Sequence, residues 1–197
     1  MTKILALLGS PKPQGTNSLL IDEVLRGAAA NGDVEVQKIL LNKLKLVPCQ
    51  SCDCCLHTGR CCVRDDMESI YEKIMAMDAF IFAAPVYFNG MSAQAKAVVD
   101  RCQPFWSAKY VVKKDLFGGR KRPGIFIATG GQPLYEGQFI GSLHVINLYF
   151  KMIGVKNIGN LTLADLDARP LAGRPEDLGQ AFALGKQLIV NGNQNIS

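Results

Sequence analysis

The sequence holds only two histidines and one tryptophan, and no apolar run approaches the ~20 residues that cross a bilayer. The missing run excludes a membrane-spanning helix as an expectation. His57 and His144 stand in unrelated contexts, so neither reads as a general base. Secretory character is also lacking, since the apolar stretch Ile4–Leu8 is too short for a leader core and runs into glycine and proline. A cytoplasmic, reducing location is therefore expected. Strong charge is absent as well: the net charge is +5, and its one dense stretch, KYVVKKDLFGGRKR over residues 109–122, reads as a solvated surface loop. No nucleic-acid motif accompanies it, which argues against nucleic acid as a partner. Internal repeats and low-complexity segments are missing too.

What is present is an ordinary globular composition with one excess. The 197 residues are 48% apolar and 20% charged, suiting a single domain over residues 1–197 that buries about 70% of its unfolded surface. A core of that size does not need covalent staples. Yet six of the seven cysteines fall within Pro48–Cys62, PCQSCDCCLHTGRCC. In a reducing compartment clustered thiols point to metal binding or redox chemistry ahead of disulfides.

Along the chain, short apolar runs alternate with helix-spaced segments. Lys3–Leu8, Val34–Leu41, Ala79–Ala84, Gly124–Thr129 and Val155–Leu163 read as strands. Ser18–Ala30, Met67–Met77, Ser92–Phe105, Gln138–Ile153 and Pro175–Val190 read as helices, with Ser92 placed to cap its helix and proline opening the last. Five apolar strands separated by helices predict a parallel α/β sheet covered on both faces. The cysteine-rich segment, about residues 47–64, is an insertion after the second strand. The terminal NGNQNIS is expected to fray.

In such a sheet ligands bind beyond the carboxyl ends of the strands. The first such loop, GSPKPQGTNS, leads into a helix whose free N–H groups and positive dipole end attract phosphate. Ser10, Thr16, Asn17 and Ser18 offer hydrogen bonds and Lys12 offers charge. The loop carries neither the GxGxxG fingerprint nor a Walker GK[ST], and such residues also serve simply to turn and cap. The third strand runs into APVYFNGMSAQAK, where Tyr87 and Phe88 offer flat surfaces for a conjugated ring and Asn89 and Gly90 offer polar backbone. Taken alone, an aromatic pair beside a sheet more often serves core packing. The fourth loop, ATGGQP, permits close backbone approach.

GSPKPQGTNS followed by DDMESIYEKIMAMDAFIFAAPVYFNGMSAQAKAVVDR resembles the NADPH-dependent FMN reductase-like branch of the flavodoxin-like superfamily. The resemblance covers most of residues 3–101 and implies a flavodoxin-like three-layer sandwich, with a five-stranded parallel sheet in the order 2-1-3-4-5. It also implies non-covalent FMN and assembly as a homodimer or homotetramer. By the same resemblance Ser10, Lys12, Thr16, Asn17 and Ser18 cradle the FMN phosphate. Pro85, Val86, Tyr87, Phe88, Asn89 and Gly90, with Thr129, Gly130 and Gly131, flank the ring. Thr16 departs from the family, which often has glycine directly before the asparagine.

Cys49, Cys52, Cys55 and Cys61 form C-x2-C-x2-C-x5-C, a compact pattern similar to that of the iron–sulfur flavoproteins in this family. The resemblance implies a [4Fe–4S] cluster near FMN, each iron bound by one cysteine sulfur. Gly59 would help the chain turn between the third and fourth ligands. Cys54 and Cys62 are spare thiols or substitute ligands. A four-thiolate zinc site and a metal-free thiol segment remain rival readings. Cys102 reads as a buried small hydrophobe, and Asp65–Asp66 as a charge feature at a helix N-terminus. The function expected is FMN-dependent electron transfer with a cluster exchanging single electrons, the alternative being a cluster-free NAD(P)H-dependent FMN or quinone reductase. NAD(P)H, a redox protein such as ferredoxin, or a small acceptor such as a quinone are the expected partners.

Overall fold

The computed structural model describes residues 1–193, with side chains through Ile189. The expectation of fraying at the carboxyl terminus falls mostly on 194–197, outside the described residues. Five strands run parallel: β1 (Thr2–Leu8), β2 (Val34–Leu40), β3 (Ala79–Tyr87), β5 (Arg122–Thr129) and β6 (Val155–Leu163), in the order β2-β1-β3-β5-β6. The expected order is borne out for these five. A sixth strand, β4 (Gly90–Met91), pairs antiparallel with the end of β3. The turn between them places Phe88 and Asn89 at φ of 50° and 60°, the left-handed pair that closes a tight hairpin.

Strand alternation divides the core between two layers. Ile4, Ala6 and Leu8 of β1 face α1 (Thr16–Ala29) and α7 (Pro175–Asn193). Leu5 and Leu7 face the layer formed by α3 (Met67–Ala76), α4 (Ala93–Asp100), α5 (Gln103–Tyr110) and α6 (Ile140–Met152). Successive side chains of a strand point to opposite faces, so a strand covered on both sides is apolar throughout. α1 and α7 pack so closely that a Cβ on Gly185 would lie 1.9 Å from the Val24 carbonyl oxygen.

Two local expectations are corrected. The helix expected over Ser92–Phe105 is broken at Arg101–Cys102 into α4 and α5, with Pro104 in the first turn of the second piece. Proline has no N–H and its ring clashes with the carbonyl four residues back, so the chain restarts a helix there. Ser92 does not cap α4 with its side chain; its buried hydroxyl donates to the Gly9 carbonyl at 2.6 Å and ties the first loop to the start of α4.

At the amino ends of the strands the buried Arg122 guanidinium, which opens β5, donates to the carbonyls of Ile74, Met77 and Ile153. These carbonyls belong to the ends of α3 and α6, where the helix dipoles are negative. Among the described residues no helix is long and apolar enough to cross a membrane.

Candidate functional site

The three loops at the carboxyl ends of β1, β3 and β5 lie side by side because those strands are neighbours. Asn17, at the first turn of α1, donates from Nδ2 to the Thr129 hydroxyl at 2.6 Å, bridging the first and third of these loops. Its Oδ1 is buried with no partner among the described residues. Ser10 is buried and its Oγ accepts the Lys12 N–H, while Lys12 itself is exposed. The N–H groups of Thr16 and Asn17 have no backbone acceptor among the described residues, as a helix start requires. A phosphate fits these donors. Ser18 is partly engaged: its N–H donates to the Gly15 carbonyl at 2.9 Å and its Oγ accepts from Lys38 Nζ at 2.7 Å, which also reaches Asp22 at 2.6 Å.

In the second loop Pro85 and Val86 are half-buried, and Tyr87 and Phe88 lie outside the core. Phe88 is wholly exposed. The aromatic pair is therefore available as surface, and core packing does not account for it. Tyr135 donates its hydroxyl to Asn89 Oδ1, fastening the hairpin to the loop after β5. Gly130 is buried against the amide of Gln138, whose Oε1 is another buried oxygen without a partner among the described residues. Asp167 packs against Gly131. Lys38, Tyr135 and Asp167 escaped the sequence reading because each belongs to a segment remote from the motif it touches, and Gln138, close to Gly130 in sequence, because it reads there only as the start of a helix.

The cysteine segment leaves the carboxyl side of β2 and contains a five-residue helix, α2 (Cys54–Thr58), ended by Gly59 at φ 65°. Glycine takes this left-handed backbone without the steric cost that a Cβ brings. All six cysteines line one cavity of about 290 Å³, closed on one side by Gln103, Pro104 and Ser107 of α5. Ser107 Oγ donates to Cys55 Sγ at 3.6 Å.

Within the cavity the thiols of Cys52, Cys54 and Cys62 lie within 4.8 Å of one another, with Cys52 and Cys62 sulfurs 3.5 Å apart. Cys49, Cys55 and Cys61 line the same wall outside this triad. The Cys54 N–H and the neighbouring thiols of Cys62 and Cys54 hold Cys52 below its ordinary pKa. Hydrogen bonding to Cys54 and Cys52 pushes Cys62 up to about 12. Six soft sulfur donors around one cavity suit a thiophilic metal group.

The neck of the segment is closed by Arg101, which is 1% exposed. Its Nη1 donates to the Val47 carbonyl and to Asp65 Oδ2, both at 2.6 Å, and its Nη2 to Asp65 Oδ1 at 3.1 Å and the Val63 carbonyl at 3.3 Å. Asp65 is thus the partner of a buried arginine as well as a neighbour of the α3 start. Burial works to raise its pKa, but hydrogen bonds from Arg101 and from the N–H groups of Val47 and Met67 outweigh it and hold the carboxyl low. Cys102 is buried, as its sequence context suggested, with Sγ 3.9 Å from the Tyr149 hydroxyl. His57 and His144 are exposed.

This sheet order, with open loops at its carboxyl ends and a thiol-lined cavity beside α5, defines a flavodoxin-like α/β protein with a built-in site for a sulfur-bound metal group. The chain belongs to the NADPH-dependent FMN reductase family, which matches over residues 2–163, and within it to the iron–sulfur flavoproteins. It is 35% identical over 146 residues to an iron–sulfur flavoprotein of Archaeoglobus fulgidus, covering 74% of this chain and 70% of that one. An iron–sulfur flavoprotein of Methanocaldococcus jannaschii is 39% identical over 102 residues, so the match spans about half of each chain, 52% of both. Among solved structures, a flavone reductase superposes with a TM-score of 0.73 at 18% identity over 97% of this chain and 63% of that one, a likeness of fold.

Proposed function

We propose that the chain is an FMN-dependent electron-transfer oxidoreductase, acting as one domain over residues 1–197, with residues 47–64 as the segment that carries an iron–sulfur cluster. The convergence of six thiols on a cavity of about 290 Å³ carries this reading. When bound, FMN and the cluster supply two-electron and one-electron redox chemistry respectively.

The chain's own part is to hold and position. Ser10, Lys12 and the first turn of α1 at Thr16, Asn17 and Ser18 receive the phosphate, Ser18 through the hydrogen of its hydroxyl, since its N–H bonds the Gly15 carbonyl and its Oγ accepts from Lys38. Pro85–Gly90 and Thr129–Gly131 form the ring slot, with Asn17 Oδ1 and Gln138 Oε1 as buried acceptors seeking donors. Cys49, Cys52, Cys55 and Cys61 supply the cluster thiolates, and Arg101 fixes the segment that bears them. Exposed Phe88, on a left-handed backbone, suits cover by a second copy in a homodimer or homotetramer. Free thiols suit a cytoplasmic setting, with NAD(P)H or a redox protein as donor and a quinone-like molecule as acceptor.

A second reading rests on the Cys52, Cys54 and Cys62 triad. Four thiolates around one zinc, with Zn–S of about 2.3 Å, lie about 3.8 Å apart, a spacing near that of this triad. Anaerobic purification with iron, acid-labile sulfide, zinc and flavin analysis separates the two. About four irons and four sulfides per chain alongside one FMN support the cluster; one zinc and no sulfide support the second reading.

A further inference from the structure

Beyond α5 from the thiol cavity lies a groove of about 640 Å³ at the amino ends of β5 and β6. Seven of its fifteen lining residues are lysine or arginine against a single acid, Asp115. The Asp115 carboxylate is taken up by the N–H groups of Phe117, Gly118 and Gly119 at 2.8–3.0 Å. Lys109, Lys113, Lys114, Arg120, Lys151 and Lys156 form no ion pair among the described residues. Like charges crowded in this way attract a polyanionic surface.

The groove's floor is apolar, with Phe105, Phe117 and Met152. On the same helix, Trp106 and Tyr110, ring centroids 5.7 Å apart, are 39% and 45% exposed, and Trp106 lines an adjoining groove that shares Met152 with this one. Exposed tryptophan and tyrosine are the residue types that anchor protein interfaces.

α5 joins this groove to the thiols. Phe105 and Lys109 line the groove, whereas Pro104 and Ser107 line the cysteine cavity. A helix with its side chains is about 10–12 Å across, so a protein seated in the groove stands one helix away from the cysteines. The flavin loops lie at the opposite ends of the strands. β5 has eight residues, which at about 3.3 Å each puts the groove roughly 25 Å from them. A nicotinamide seated in the groove cannot deliver hydride over that distance.

We propose that the face formed by α5 and residues 111–121 is the docking surface for an acidic electron-carrying protein. The class of partner rests on the cluster reading above; the charge and the exposed aromatics of α5 do not.

An acidic ferredoxin immobilised on a sensor surface serves as the probe, with the full chain loaded with FMN and its iron content measured separately. The wild-type chain binds, and its association rate falls steeply between low ionic strength and about 0.15 M salt. Lys113→Glu with Lys114→Glu lowers that rate about tenfold at low ionic strength, and Trp106→Ala raises the dissociation rate about tenfold. Lys186→Glu, on the far face of the sheet, changes neither. Equal binding by wild type and the double variant, or no binding by an iron-loaded chain, overturns the proposal. So does saturable binding of ATP or of an oligonucleotide that the double variant abolishes while ferredoxin binding is unchanged. An iron-free chain that still shows the charge-dependent binding upholds the docking surface and sinks the cluster reading instead.

Discussion

Arg101 and Asp65 form a buried ion pair, 2.6 Å between Nη1 and Oδ2 with side chains 1% and 8% exposed, and it closes the neck of the cysteine segment. The same guanidinium takes the carbonyls of Val47 and Val63, which flank the segment on either side. A flexible run of fifteen residues becomes a loop with fixed ends, so its thiols meet over one small volume.

Removing the cation leaves Asp65 buried and unpaired, and breaking a buried pair in this way costs about 3–5 kcal/mol. Arg101→Met is expected to lower the urea midpoint accordingly and to make the six clustered thiols react faster with a thiol reagent. Unchanged thiol kinetics in a folded Arg101→Met chain would mean that the segment holds its shape without the clamp.

The pair also sets a pH dependence. Asp65 is held below its unfolded value, about 3.9, so its contribution is fully present above that value and is lost as pH falls through the lower folded pKa. The stability gap between wild type and Asp65→Asn is expected to stay constant from neutral pH down to about 5, then shrink below about 4. Urea melts at a series of pH values measure it; a gap that grows on acidification contradicts the assignment.

The thiols separate by role. Cys55→Ala is expected to lower iron content by half or more, whereas Cys54→Ala leaves it near the wild-type level, both read by iron and sulfide analysis on anaerobic protein. The opposite pattern would move the ligand set to the triad of Cys52, Cys54 and Cys62.

Ser10 is 5% exposed at the mouth of the phosphate loop. A carboxylate there meets a phosphate at close range, a repulsion of about 1–4 kcal/mol, so Ser10→Asp is expected to weaken FMN retention about tenfold or more. Flavin fluorescence after dialysis reports it, and wild-type retention would remove Ser10 from the phosphate site.

Much of the fold is legible in the sequence because its signals are local. A run such as Leu5-Ala6-Leu7-Leu8, short and ended at once by Gly9 and Pro11, fits a strand covered on both faces, and the alternation of such runs with helical periods leaves a parallel sheet as the compact solution. The first-turn residues Thr16 and Asn17 follow from the loop-to-helix junction in the same way. Pro104 was a local signal too, and it marks the break that the periodicity of Ser92–Phe105 hides.

By itself, then, the chain's order of residues determined the layers, the loops at the carboxyl edge and the presence of a thiol-rich insertion. Tertiary structure alone decided which groups meet: Arg101 with Asp65, 36 residues apart, Asn17 with Thr129, 112 apart, and Cys52 with Cys62 across the turn at Gly59. The reason is physical. Backbone period and turn chemistry are fixed by neighbours in sequence, whereas a buried cation, an orphan amide oxygen or a lysine-lined groove is created only when distant segments are packed against the same sheet.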